Sequence, residues 1–196
     1  MINLLAVNGS PRKGGNTETV LDAFLKGAEE AGASVTKRRL VEIQHKNCRG
    51  CNECHKTGVC VIRDNLTPVF EDILSADILV LASPIYSMSV TAEMKSFIDR
   101  GQFLWARKFV TKTLVFDKEH LAKHAGVFVG TSGQDIPDIF GAAFPVVRAF
   151  FNDSGFTYSK NVLFPGMDKH GGVKGWPESV KIAEKAGREI VLEMMK

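Results

Sequence analysis

The sequence has no apolar run near the roughly 18 residues that a membrane-spanning helix needs, so no membrane span is expected. It opens MINLLAVNGS, with no basic region ahead of the apolar stretch, which is not the pattern of a secretory signal. Neither charge sign dominates: 25 Lys and Arg face 22 Asp and Glu, a net charge of +3. That balance gives no reason to expect nucleic acid as a partner. Walker A and GxGxxG phosphate motifs are both absent, which weakens nucleoside-triphosphate and dinucleotide readings. Internal repeats and flexible linkers are missing too. Cysteine is scarce, and its four residues all fall within positions 48–60. The expected compartment is the reducing cytoplasm, where clustered cysteines point to metal or redox chemistry rather than disulfides. Bridges this short would also restrain little of the unfolded chain. A chain of 196 residues can build a sizeable core without such staples. One domain over residues 1–196 is expected, with a cysteine-rich loop at about 45–65.

What is present alternates in period. Residues 2–7, INLLAV, are a short apolar run, and residues 77–82, DILVLA, are the clearest buried strand. AGVFVG, residues 125–130, is a third, and weaker strand signals lie at 34–40 and 156–164. Between them, apolar residues recur at helical spacing, as in Val20, Leu21, Phe24, Leu25 and Ala28. Further helices are expected over 67–75, 91–104, 138–152 (bent at Pro145) and 174–195. Strands that are continuously apolar argue for a parallel sheet covered on both faces, an α/β architecture. Sheets of this kind bind ligands outside the carboxyl ends of their strands. Three strand ends stand out: residues 8–17, 83–90 and 130–135.

The first, NGSPRKGGNT, joins a strand to a helix. Gly14 and Gly15 let the backbone turn and expose its N–H groups. The helix N-terminus attracts anions. Ser10, Asn16 and Thr17 can donate hydrogen bonds, and Arg12 can add a charged fork. Two readings stand on these residues: a phosphate cradle, or a Gly-rich turn capped by Asn16 or Thr17. In the second loop Pro84 stiffens a turn that presents Ile85 and Tyr86, and GTSGQ at 130–134 is a permissive third. Together the three suit a mononucleotide carrying a flat ring.

Gly9-Ser10-Pro11-Arg12 with Gly15-Asn16-Thr17, followed by Ser83-Pro84-Ile85-Tyr86 and then by the cysteine run, resembles the flavodoxin-like family of FMN reductases. Within that family it is similar to the iron-sulfur flavoproteins. The resemblance implies a three-layer sandwich around a five-stranded parallel sheet. It implies FMN, its phosphate held by Ser10, Arg12, Gly15, Asn16 and Thr17. Pro84, Ile85 and Tyr86 would line the flavin ring, and Thr131 and Gly133 would approach its other side. No protein nucleophile is called for.

The cysteines, Cys48, Cys51, Cys54 and Cys60, follow C-x2-C-x2-C-x5-C. Thiolates select soft metals such as zinc, copper(I) or iron-sulfur clusters. Structural zinc more often uses two separated pairs. Free or redox-active thiols remain an alternative. The resemblance implies a 4Fe-4S cluster in a homodimer or homotetramer, where one subunit's cluster approaches another's FMN. Ferredoxin or NAD(P)H would supply electrons. Two other readings are a flavodoxin-like electron carrier and an FMN or quinone reductase lacking a cluster. A flavin-free, zinc-stabilised binding protein is a third. Asp64, His55 and His45 read as surface or outer residues near the cysteines. Arg100, Arg107, Lys108, Lys112 and Lys118 read as solvated charges. Phe103, Trp105, Phe109, Phe116, Phe140 and Phe144 suit core packing, a substrate mouth or a subunit contact.

Overall fold

A computed structural model describes residues 1–196. Its strands are β1 (Asn3–Asn8), β2 (Ser34–Arg39), β3 (Ile78–Pro84), β4 (Ala125–Thr131) and β5 (Thr157–Phe164). They form one all-parallel sheet in the order β2-β1-β3-β4-β5. The three central strands are almost wholly buried, which is why they read as unbroken apolar runs. β2 and β5 are edge strands and alternate in exposure along most of their length.

The helices are α1 (Asn16–Glu30), α2 (Glu53–Thr57), α3 (Thr67–Leu74), α4 (Ala92–Arg100), α5 (Gln102–Trp105), α6 (Lys118–Ala122), α7 (Ala143–Ser154) and α8 (Pro177–Met194). α1 and α8 cover one face of the sheet and pack on Leu4, Ala6, Val80 and Val127. α3, α4 and α7 cover the other and pack on Leu5, Val7, Leu79 and Phe128. Neighbouring strand residues point to opposite faces, so each central strand feeds both cores. This is the flavodoxin-like three-layer sandwich. The two helices of the first face touch backbone to backbone. A Cβ at Gly187 would collide with the Phe24 carbonyl, and one at Gly27 with the Glu184 carbonyl.

Three segments differ from the sequence expectation. The helix expected over 91–104 breaks at Gly101, where a Cβ would press on the Phe150 ring at 2.5 Å. A π-helical turn, Ala106–Val110, follows. The helix expected from residue 138 begins only at Ala143, so Pro145 sits in its first turn, where its missing N–H does no harm. The cysteine segment is not all loop, because α2 carries Cys54.

α4 is fixed at both ends. The Thr91 hydroxyl caps it, accepting from the Met94 N–H at 3.2 Å and donating to the Gly9 carbonyl at 2.7 Å. Its last residue, Arg100, points into the cysteine segment.

Candidate functional site

The carboxyl ends of β1, β3 and β4 open into a cavity of about 730 Å³. The size is ordinary for a small-molecule or cofactor site. Ser10, Arg12, Gly15, Asn16 and Thr17 line it from the first loop, Pro84, Ile85 and Tyr86 from the second, and Thr131 and Gly133 from the third. The structure thus gathers every residue expected from the three loops around one space. It lies where β1 and β3 are neighbours, the point at which chain order reverses across the sheet.

α1 starts beside the cavity without a side-chain cap. The amides of Asn16, Thr17 and Glu18 have no protein partner. Such N–H groups at the positive end of a 15-residue helix make an anion site. The turn before it is held from within. Asn8 accepts from the Ser10 amide at 2.9 Å, and Glu18 accepts from the Gly14 amide at 2.6 Å. Glu18 itself faces Lys37 and Arg39 of β2. Burial pushes its pKa up, but the Gly14 amide and the two cations outweigh this and hold it below its ordinary value. Asn16 is only partly free, because its side-chain oxygen accepts from the Val173 amide at 3.1 Å.

The other loops are cross-braced. The Ile85 amide donates to the Thr131 carbonyl at 2.8 Å. The Thr17 and Thr131 hydroxyls share a buried hydrogen bond of 2.6 Å, which ties the first loop to the third. Tyr86 and Ser89 pair across a tight turn whose central residues, Ser87 and Met88, have φ of 47° and 68°. Left-handed backbone at non-glycine residues costs on the order of 1–2 kcal/mol each. Strain of this kind collects at binding sites. Neither residue type signals such a turn, so sequence reasoning passes over Ser87 and Met88.

Ser132, Gln134, Ile139, Met167 and Asp168 complete the lining. Asp168 is brought in by the 3-10 turn Met167–His170 after β5, and its carboxylate packs directly against Gly133. No motif in its surroundings marks it.

The cysteine segment lies apart, and no residue lines both this cavity and the one beside Cys60. Cys48 and Cys51 are exposed, while Cys54 and Cys60 are half-buried. Burial pushes the Cys54 thiol up, and the charges of Cys60, Cys48 and Cys51 push it further. The four sulfurs lie on one short segment, residues 48–60. No three His, Cys, Asp or Glu side chains are drawn together tightly enough to hold a metal ion. His55 leans on Trp105 with ring centres 5.5 Å apart, and its Nε2 is buried without a partner.

Arg100 corrects the expectation of a solvated charge. It is 2% exposed and pairs with Asp64 at 2.6 Å. Asp64, expected at the surface, is also largely covered, at 12% side-chain exposure. Burial pushes the carboxyl up, but Arg100 and the amides of Lys46 and Leu66 hold it below its ordinary value.

The sequence profile of the NADPH-dependent FMN reductases matches residues 2–136. The chain belongs to this family. An iron-sulfur flavoprotein of Archaeoglobus fulgidus is 42% identical over 96 residues, which cover 49% of this chain and 44% of that protein. One from Methanosarcina thermophila is 30% identical over 114 residues, covering 58% and 60%. The chain spans roughly half the length of these curated relatives. An azoreductase structure from Bacillus anthracis superposes with a TM-score of 0.71 at 16% identity, over 96% of this chain and all of that one. That likeness shows the fold alone.

For a member of the FMN reductases, a family of flavin-dependent oxidoreductases, the cavity has the right chemistry. Unpartnered amides at a helix N-terminus suit a phosphate. Pro84, Ile85 and half-exposed Tyr86 offer an apolar wall to a flat ring, with hydroxyls and backbone opposite. The cysteine segment offers four soft donors.

Proposed function

We propose that this chain is an FMN-dependent oxidoreductase that moves electrons from ferredoxin or NAD(P)H to an acceptor, using FMN and a 4Fe-4S cluster. The observation that carries the reading is the 730 Å³ cavity, where a free helix N-terminus meets an apolar wall at the sheet's switch point. FMN supplies the redox chemistry there, taking two electrons as hydride and releasing them singly. Ser10, Arg12, Gly15, Asn16 and Thr17 hold its phosphate. Pro84, Ile85 and Tyr86 position its ring, with Thr131 and Gly133 on the other side. The strained Tyr86–Ser89 turn keeps that wall in place before the cofactor binds.

Cys48, Cys51, Cys54 and Cys60 hold the cluster. Four thiols on one short segment, residues 48–60, two of them exposed, and relatives named iron-sulfur flavoproteins support this assignment. Binding draws the loosely arranged sulfurs together, as metal binding commonly orders its ligands. The functional unit is one FMN-binding domain with a cysteine-rich loop, assembled as a homodimer or homotetramer in the cytoplasm. The sulfurs' loose spacing favours a second reading, an FMN or quinone reductase without a cluster.

Anaerobic purification with flavin, iron and sulfide analysis tests both. FMN with about four iron and four sulfide per chain is expected. Flavin without iron leaves the second reading. A chain that neither contains nor takes up FMN overturns both.

A further inference from the structure

We propose that the cavity beside Cys60 is a second ligand site, one that takes a small planar aromatic monocarboxylate and, when filled, clamps the cysteine segment to the body of the protein. Neither bound flavin nor a cluster is needed for this.

The cavity measures about 480 Å³, within the range of small-molecule sites. Its walls come from two parts of the chain. Val59, Ile62 and Arg63 belong to the cysteine segment, while Phe70 of α3, Phe103 of α5 and Arg107 of the π-helical turn belong to the body. None of them lines the larger cavity at the sheet's carboxyl edge. The two walls already touch, because a Cβ on Gly58 would lie 3.2 Å from Arg107 Cγ.

The apolar part is aromatic. Phe70 and Phe103 meet edge to face with ring centres 5.1 Å apart. A third ring extends such a pair favourably. Leu74 and Val59, which also line the cavity, are exposed, so an apolar body here removes their surface from water.

The polar part is cationic. Arg38, Arg39, Arg100 and Arg188 each pair with a carboxylate. Arg63 and Arg107 pair with none, and neither guanidinium has a hydrogen-bond partner, although Arg107 is half-buried. A partly desolvated cation without a partner is unfavourable. Arg100 lies in the same lining, is 2% exposed, and gives Nη1 and Nη2 to Asp64 and to the carbonyls of Lys46 and Ile62. Its Nε is buried without an acceptor, and an anion in the cavity offsets part of that cost through its field. Planar guanidinium forks match a carboxylate. Asp64 balances Arg100, so the free charges of the lining are two arginines against Glu71. That balance suits a single negative charge. A ring on Phe70 and Phe103 with its carboxylate on Arg63 and Arg107 touches both walls at once, and binding then opposes local opening of the segment.

The test uses the full chain with saturating FMN and 2-naphthoate as the probe, followed by isothermal titration calorimetry. Wild type should bind with a Kd below about 1 mM. The neutral 2-naphthamide should bind at least about tenfold more weakly, and the aliphatic octanoate at least about fivefold. Arg107→Gln, which keeps the Cγ that packs on Gly58, and Arg63→Gln should each weaken 2-naphthoate at least about fivefold. Arg12→Ala, in the other cavity, should leave it unchanged. Amide exchange over residues 57–63 should slow at least about tenfold at a ligand concentration of about 100 Kd. Circular dichroism checks folding, and if Arg107→Gln does not fold, the exposed Arg63→Gln decides. No binding, or binding that Arg12→Ala weakens and the other two variants do not, overturns the site. Equal affinity for the amide overturns the anionic ligand, and equal affinity for octanoate overturns the aromatic one. Binding without slower exchange overturns the clamp.

Discussion

The loops of the cavity at the sheet's carboxyl edge grow from strands that are buried along nearly their whole length, whereas between residues 45 and 65 Gly58 is the only buried residue. The first region inherits its shape from the sheet. Its loops are bonded to one another through Thr17, Thr131 and Ile85. The second has one five-residue helix and turns through left-handed backbone at Gly50, Asn52 and Gly58. It is held to the body by the knot at Arg100 and Asp64, by Ser96 bonded to His45 and Asn47, and by His55 against Trp105. Few buried contacts and few backbone bonds mean a low free energy of local opening. One site is preformed by the fold, while the other depends on a handful of side-chain contacts.

The comparison breaks most sharply at Arg100. Arg100→Met leaves Asp64 without its partner, and losing one member of a buried pair costs about 3 kcal/mol. Urea denaturation followed by segment-specific proteolysis should show 45–65 opening first, with FMN affinity changed less than about twofold. Arg12→Ala does the reverse. Removing one charge-assisted hydrogen bond to a phosphate should weaken FMN by about tenfold, read by fluorescence quenching, while iron uptake stays as in wild type. Glu18 sharpens the contrast through pH. Its folded-state pKa is depressed, so its stabilisation is present above the ordinary value of 4.5 and is lost as pH falls through the depressed one. The charges facing it are Lys37 and Arg39 of β2, with Asp22 of α1 sharing Lys37. As pH falls from 7 toward 3, wild type should lose more stability than Glu18→Gln, measured by urea titration at each pH. The smallest effect is expected from Met88→Gly. Relieving left-handed strain outweighs the added chain entropy by less than about 1 kcal/mol. The melting temperature should rise slightly, while FMN binds about twofold more weakly to a looser wall.

The central strands were legible because burial on both faces leaves an unbroken apolar run, as in Asp77–Ala82. The three loops were legible because strand ends with glycine, proline and hydroxyl residues announce a turn with free backbone. Other features left no local trace. Asp168 reaches the cavity from beyond β5, a meeting fixed by strand order. Ser87 and Met88 adopt a turn that their side chains disfavour, so propensity points away from it. Arg100 carries the residue type of a surface position, and only its partners, at positions 46, 62 and 64, reveal its burial. Gly27 and Gly187 mark a helix contact that neither helix's own periodicity shows.

α4 joins the two regions. Its cap, Thr91, holds the first loop through Gly9, and its last residue holds the cysteine segment. A helix of this length is a ruler of about 14 Å, graduated in steps of about 1.5 Å and roughly 100°. Inserting or deleting one residue within Ala92–Arg100 would swing the guanidinium to another side of the helix, while leaving every cavity-lining and cysteine residue in the sequence. The spacing of the cavity and the cysteine segment is in this sense a count of residues, written in a helix that lies between them.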